Sequence, residues 1–184
     1  MKNLSGKKVA ILTENGFEEV ELTSPKKSLE EAGATVHIIS PQEKKVKAWN
    51  HDHWSIELNV DVPLSKANAF DYDALLIPGG VINPDKMRMN KECIDFATHF
   101  LETGKPLGTI CHGPQLLIET GLLKDKRMTS FPSVKTDIIN AGAEWVDKEV
   151  VVHNGLVTSR SPKDLAAFNR KLIEEISEGV HEPT

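Results

Sequence analysis

Short, continuous runs of aliphatic and β-branched residues alternate along the chain with longer segments of helical periodicity. The clearest apolar runs are Lys8–Thr13, Thr35–Ser40, Ala74–Ile77 and Pro106–Ile110. Strands that are apolar throughout are typical of parallel sheets covered on both faces. The segments 21–32 and 91–103 carry the helical pattern, and each is followed by a glycine, as helix ends often are. This alternation predicts an α/β fold with a mostly parallel central sheet.

The remaining segments complete that pattern with one interruption. Further helices are predicted at 113–120, 134–140 and 162–178, and further strands at 149–152 and 156–159. Asn154-Gly155 between those two strands is a strong hairpin signal. Residues 43–68 break the rhythm, because short strands at 46–49 and 56–60 surround a polar turn. We find no repeat or linker, so the sequence predicts one domain over 1–184 with a flexible tail at 179–184.

Composition excludes several classes of function. The chain has 184 residues, a formal net charge of −5 and two cysteines. An acidic chain without a basic run is a poor partner for nucleic acid or for an anionic membrane. No apolar stretch resembles a signal peptide or a membrane span, and two cysteines make no secreted disulfide framework. We therefore expect a cytoplasmic protein.

Three motifs follow predicted parallel strands directly. They are Gly16-Phe17-Glu18, Pro78-Gly79-Gly80 and Cys111-His112-Gly113. The carboxyl ends of parallel strands share one edge of the sheet, and ligands bind there in open α/β folds. The three motifs are therefore expected to form one site.

Cys111 is the candidate nucleophile of that site. It lies between an apolar strand and a helix start, the arrangement of a nucleophile elbow. The helix N-terminus favours a thiolate, and the N–H of His112, with a second N–H from Gly79-Gly80, can hold an oxyanion. A buried cysteine is more often a small core residue, and we interpret Cys93, within a helical apolar pattern, in that way. Spacing alone leaves open whether the side chains of Cys111 and His112 face each other.

Other polar residues have two interpretations each. Glu18 is either part of the site or an ordinary carboxylate at a helix N-terminus. The cluster His51-Asp52-His53 is either a metal site or a solvated turn at the pocket rim, and the missing further ligands favour the turn. The flanking Trp49 and Trp54 are consistent with a pocket rim or a subunit contact.

With these residues in hand, the chain resembles the PfpI family of the class I glutamine amidotransferase-like superfamily. The resemblance extends from the Lys8 strand to the final helix. Its motifs are Gly16-Phe17-Glu18-Glu19-Val20-Glu21-Leu22, Leu76-Ile77-Pro78-Gly79-Gly80, Ile110-Cys111-His112-Gly113-Pro114-Gln115, the segment from Asn140 to Asp147, and Thr158-Ser159-Arg160.

The resemblance implies a flavodoxin-like three-layer α/β/α sandwich and no cofactor. It makes Cys111 the nucleophile, His112 its base partner, and the N–H groups of Gly80 and His112 the oxyanion hole. It also places Glu18 within hydrogen-bond reach of the Cys111 sulfur. Asp85 takes the position of an acid that reaches the histidine of a neighbouring subunit, although its loop is one residue longer here. A homodimer or larger homo-oligomer is therefore expected.

Two classes of function remain open at this stage. The first is a cysteine-dependent enzyme, either an intracellular peptidase or amidase, or a glyoxalase or deglycase that attacks an aldehyde such as methylglyoxal. A protonated carboxyl group beside the sulfur would favour aldehyde conversion, because that reaction moves a proton to carbon. The second is a non-enzymatic stress protein, a redox sensor or holdase in which Cys111 is oxidised. A true glutamine amidotransferase is disfavoured, because His153 is the only later internal histidine.

Overall fold

A computed structural model describes residues 2–182 of the chain. Its strands are β1 (Lys8–Leu12), β2 (Phe17–Glu18), β3 (Thr35–Ser40), β4 (Lys45–Asn50), β5 (His53–Asn59), β6 (Val62–Pro63), β7 (Ala74–Ile77), β8 (Leu107–Ile110), β9 (Arg127–Met128), β10 (Glu144–Trp145), β11 (Val151–His153) and β12 (Leu156–Ser159). Its α-helices are α1 (Glu19–Glu31), α2 (Ile82–Met87), α3 (Lys91–Thr103), α4 (Pro114–Ile118), α5 (Lys135–Asn140) and α6 (Leu165–Glu178).

The central sheet has seven strands in the order β11-β12-β8-β7-β1-β3-β6. Every neighbouring pair is parallel except β11 with β12, which form an antiparallel hairpin at one edge. Asn154 and Gly155 turn that hairpin, and both have positive φ, as a tight two-residue hairpin turn requires. The predicted mostly parallel α/β/α arrangement is therefore confirmed.

Two apolar layers cover the sheet, which explains why its strands are apolar throughout. Along β1, Val9 and Ile11 face a core shared with α1 and α6. The alternate residues, Ala10 and Leu12, face the core shared with α3 and α4. Side chains alternate between the faces of a strand, so a strand buried on both sides needs apolar residues at every position.

The order of the strands determines at which edge of the sheet the site lies. The chain leaves β1 for β3 on one side and later returns to β7 on the other side of β1. The connections after β1 and β7 therefore meet at the point where strand order reverses, and β8 lies next to β7. This reversal is where open α/β sheets bind ligands.

The structure departs from the sequence predictions at several elements. Helix α1 begins at Glu19 rather than Glu21, and α2 was not predicted at all. The irregular 43–68 segment includes the antiparallel strands β4 and β5, and β4 also pairs with β2 to make a separate three-stranded sheet.

His181, near the end of the described range, lies against the amino end of the sheet. Within the predicted tail, the backbone N–H of His181 donates to the Gly104 carbonyl at 2.8 Å, and residues 183–184 lie outside the described range. Over residues 2–182, none of the helices combines the length and apolar character that crossing a bilayer requires.

Candidate functional site

Cys111 lies in a sharp turn between β8 and α4. Its φ is 62°, in the left-handed region that residues other than glycine seldom adopt. The turn is fixed by its neighbours, because the Cys111 N–H donates to the Ser159 carbonyl at 3.0 Å and its carbonyl accepts from the Phe131 N–H at 2.9 Å. The residue is 8% exposed, so its thiol meets the solvent only through the pocket described below.

The carboxyl group that faces the Cys111 thiol belongs to Glu21, not to Glu18. Glu21 lies in the first turn of α1 and is fully buried. Its Oε2 accepts the Gly79 N–H at 2.8 Å, and the carboxyl lies close enough to Cys111 for each group to shift the pKa of the other. The prediction that Glu18 lies at the sulfur was therefore wrong by one helical turn.

Glu18 faces the β4–β5 hairpin instead. It precedes the first turn of α1, and its Oε1 accepts the backbone N–H of His51 at 3.3 Å. The sequence did carry a signal for the correct residue. The buried face of α1 is formed by Glu21, Leu22, Pro25 and Leu29, so Glu21 is a charged residue within an otherwise apolar stripe.

The loop after β7 brings the backbone to this pair of side chains. A Cβ on Gly79 would lie 2.5 Å from Glu21 Oε2 and 2.8 Å from Cys111 Cβ, so only glycine fits between them. Gly80 has a φ of 80°, a conformation glycine adopts without strain. The fully buried Asn83 fixes the loop, since its Nδ2 donates to the carbonyls of Pro78 and Gly79 at 3.0 and 3.2 Å.

The backbone N–H groups of Gly80 and His112 lie near enough to the Cys111 sulfur to act on the pKa of its thiol. These are the two groups predicted to form the oxyanion hole. Each favours the thiolate and lowers the pKa of Cys111. An oxygen on a carbon bonded to this sulfur would lie beside donors that are already oriented.

Burial and charge both shift the pKa values of Glu21 and Cys111. Burial raises the pKa of Glu21 from an ordinary 4.5 to about 8. Burial, followed by the charge of Glu21, raises the pKa of the Cys111 thiol. The contribution of Glu21 charge vanishes when Glu21 is protonated, and a protonated carboxyl can donate to the sulfur. Near neutral pH the raised pKa values therefore favour a protonated Glu21 carboxyl beside a neutral thiol, and that carboxyl can donate to the thiolate once it forms.

His112 lies beside the sulfur, which spacing alone could not decide. Its Nδ1 is 3.2 Å from Cys111 Sγ, and its Nε2 is 3.2 Å from the hydroxyl oxygen of Ser133. Its ring stacks on Phe131, with centroids 4.7 Å apart and planes 22° from parallel. Burial lowers the pKa of His112, so the neutral imidazole is favoured at pH 7.

Asp85 does not reach His112 within one chain. It is exposed on α2, and its side chain has no hydrogen bond or ion pair with any of residues 2–182. Its contribution from a second subunit stays a prediction.

A half-open pocket of about 480 Å³ leads to Cys111. Its walls include Glu18, Trp49, His51, Val81, Phe131 and Pro162. Of the predicted rim residues, Trp49 and His51 line the pocket, and Trp54 packs edge-on against Trp49 with centroids 5.3 Å apart. His53 turns away and pairs with Asp52 at 2.7 Å. The volume is within the range of pockets for small molecules.

Within residues 2–182, one group of three side chains is close enough to hold a metal ion: Glu175, Glu178 and His181. It lies at the end of α6, beside Gly104 and away from the Cys111 edge of the sheet. His181 Nε2 and Glu175 Oε2 are 3.0 Å apart and form an ion pair when the histidine is protonated. The His51-Asp52-His53 cluster is not such a group among the described residues.

Comparison with known proteins assigns the chain to one family. The profile of the DJ-1/PfpI family matches residues 7–175. A Bacillus subtilis protein named YraA is 47% identical over 91% of this chain and 96% of its own length. Its name describes it provisionally as a cysteine protease. A Pyrococcus horikoshii protein named deglycase PH1704 is 42% identical over 91% of this chain and 98% of its own.

Solved structures agree with the sequence comparison. A two-domain protein of Anabaena variabilis, described as containing DJ-1/ThiJ/PfpI-like and ferritin-like domains, superposes with a TM-score of 0.86 at 38% identity. The match covers 92% of this chain and 48% of that one, so this chain spans about half of the larger protein.

Proposed function

Because the chain belongs to the DJ-1/PfpI family, we propose that it is a cofactor-free, cysteine-dependent enzyme acting on small oxoaldehydes such as methylglyoxal. One observation carries the proposal: a buried carboxyl group, with its pKa raised to about 8, faces the Cys111 thiol at the end of a small pocket. The deglycase name of the Pyrococcus horikoshii relative supports including the adducts that such aldehydes form with amines.

The first step is addition of the sulfur to the aldehyde. The Cys111 thiolate forms a C–S bond with the aldehyde carbon, and the carbonyl π electrons move to oxygen. The N–H groups of Gly80 and His112 stabilise that oxyanion, because they lie beside the reacting sulfur and favour negative charge there. The Glu21 proton moves to the oxyanion, which leaves a hemithioacetal and a Glu21 carboxylate.

The second step moves a proton between carbons. The Glu21 carboxylate removes the proton from the former aldehyde carbon, and the electrons of that C–H bond form an enediol with the neighbouring carbonyl. Glu21 returns the proton to the neighbouring carbon, while a hydroxyl proton passes between the two oxygens through His112. The carbon bonded to sulfur is oxidised and its neighbour is reduced, so no external oxidant is needed. The product is a 2-hydroxy thioester.

Hydrolysis completes the cycle. A water molecule, deprotonated by His112, adds to the thioester carbonyl, and the C–S bond breaks to release lactic acid and the Cys111 thiolate. Lactic acid ionises to lactate, and the proton held by His112 passes to the Glu21 carboxylate, which restores the starting state. Peptide hydrolysis would use the same thiolate and oxyanion donors but has no proton transfer to carbon. A buried, protonatable carboxyl beside the sulfur therefore supports aldehyde conversion over peptide cleavage.

The test uses purified protein with methylglyoxal and, separately, with a fluorogenic peptide. We expect lactate from methylglyoxal, and in D₂O less than full deuteration at its C2 because Glu21 carries the same proton between the carbons. Cys111→Ser is the inactive reference, and Cys93→Ser is the matched control for loss of a buried thiol. Peptide cleavage that depends on Cys111, without lactate, would assign a peptidase instead.

If neither substrate reacts faster than with Cys111→Ser, the enzyme proposal fails. Selective oxidation of Cys111 by mild peroxide, with Cys93 spared, would then support the redox-sensor alternative.

A further inference from the structure

Ser133 lies at the edge of the site and has no part in the reaction described above. It is exposed in a short 3₁₀ turn, Pro132–Val134, that follows β9. Its hydroxyl oxygen lies 3.2 Å from Nε2 of His112, on the opposite side of the ring from the Cys111 sulfur. The two residues are 21 positions apart in the sequence, so the contact is a product of the fold.

Besides this contact and the contact of Nδ1 with the Cys111 sulfur, the ring of His112 is positioned by stacking. Its plane lies 22° from that of Phe131, which fixes the plane of the imidazole. Stacking does not fix which edge of the ring faces the sulfur. A half-turn about the Cβ–Cγ bond keeps the plane and exchanges Nδ1 with a carbon, so the sulfur would then face C–H instead of a nitrogen.

The hydroxyl of Ser133 distinguishes these two orientations. In the observed one it bonds Nε2, whereas after a half-turn it would face a ring carbon and lose the bond. A hydroxyl can both donate and accept, so it can bond Nε2 in either neutral tautomer and in the imidazolium. Among residues 2–182, no carboxylate pairs with His112, and burial is the one cause that lowers its pKa.

We propose that Ser133 is a positioning residue for His112: its hydroxyl bond to Nε2 holds Nδ1 against the Cys111 sulfur through every protonation state of the ring. The proposal rests on the proton-transfer role given to His112 under the proposed function. It differs from the expected role of Asp85, because Ser133 acts within one subunit and is neutral. A carboxylate at Nε2 would instead stabilise the imidazolium and raise the pKa of His112.

The experiment compares Ser133→Ala with Ser133→Thr, which keeps the hydroxyl at an exposed position. The first readout is the rate at which iodoacetamide alkylates Cys111 between pH 6 and pH 9, and the second is the ¹⁵N spectrum of the His112 ring. Loss of one neutral hydrogen bond predicts a decrease of about three- to tenfold in the alkylation rate near pH 7 for Ser133→Ala. Ser133→Thr should stay within about twofold of the unaltered protein.

The ring spectrum reports orientation directly. We expect one set of His112 nitrogen signals in the unaltered protein and in Ser133→Thr, and shifted or exchange-broadened signals in Ser133→Ala. Unchanged alkylation and an unchanged spectrum in Ser133→Ala would overturn the proposal, as would equal losses in the two variants. Alkylation needs no aldehyde or peptide, so this result is independent of whether the proposed enzyme activity exists.

Discussion

The two cysteines of this chain are both buried and both free, yet only one belongs to a site. Cys93 lies on α3, fully buried among apolar neighbours that include Phe96 and Ala97. Burial raises its pKa to about 12, with smaller contributions from Glu14 and Glu92. Cys111 lies at the carboxyl edge of the sheet, where burial also raises the thiol pKa.

What separates the two cysteines is the set of polar groups around each sulfur. Cys111 has two backbone N–H donors, the buried carboxyl of Glu21, the ring nitrogen of His112 at 3.2 Å and a pocket. Among residues 2–182, no hydrogen-bond partner is found for the Cys93 thiol, and the carboxyl groups of Glu14 and Glu92 act on it only through their charge. Burial alone gives an inert thiol, whereas burial together with backbone donors and a protonated carboxyl beside the sulfur gives a thiol that can react.

The largest expected effect comes from exchanging sulfur for oxygen at each cysteine. Cys111→Ser should lower methylglyoxal turnover by at least about a thousandfold, because a hydroxyl is a far weaker nucleophile at neutral pH. Cys93→Ser should leave kcat within about twofold, although it costs stability by placing a hydroxyl in an apolar core. Steady-state kinetics of both variants check this, and a large loss in Cys93→Ser alone would reverse the comparison.

The next effect separates the two glutamates. Glu21→Gln keeps the shape of the side chain but removes its exchangeable carboxyl proton, so kcat should fall about a hundredfold or more. Glu18→Gln is the matched control, because Glu18 lines the same pocket but bonds the hairpin, and its kcat should change less than about fivefold. If Glu18→Gln were the more damaging change, the proton shuttle would have to be assigned to Glu18.

A smaller effect concerns stability as pH rises. The folded protein keeps a proton on Glu21 that the unfolded chain releases, because the pKa is about 8 in the fold and 4.5 ordinarily. This contribution to stability is complete below pH 4.5 and is lost as pH rises through about 8. The slope is at most about 1.4 kcal/mol per pH unit, and the total is on the order of a few kcal/mol.

Urea unfolding between pH 5 and pH 8.5 measures that loss. The free energy of unfolding should fall with pH in the unaltered protein and in Glu18→Gln, and should fall much less in Glu21→Gln. Parallel curves for all three proteins would show that Glu21 is ionised in the fold, and would remove the protonated carboxyl from the site.

The sequence was sufficient to predict the sheet but not every element around it. Parallel buried strands are continuous apolar runs, so β3 and β7 were predicted with their observed bounds. Helix α2 was missed because it is six residues long and contains Pro84, which suggests a loop.

The sequence predicts a site residue correctly only where that residue follows directly after a predicted strand. Cys111 follows a strand directly, so its turn could be inferred. Whether Glu18 or Glu21 faces the Cys111 sulfur depends on where α1 begins. The bounds of helices are the least certain part of a sequence prediction. Ser133 could not be found, because its contact with His112 depends on how the segment after β9 packs against the turn.

The left-handed backbone at Cys111 has a consequence for evolution as well as for chemistry. At a φ of 62° a residue with a side chain destabilises the fold by roughly 1 to 2 kcal/mol relative to glycine. Backbone conformation alone would therefore favour glycine over cysteine at this position. Cys111→Gly should therefore unfold with a free energy about 1 kcal/mol higher than Cys111→Ala, which urea titration can measure. If so, selection has maintained at this position a residue that the fold itself disfavours, and a search for more stable variants would tend to discard it.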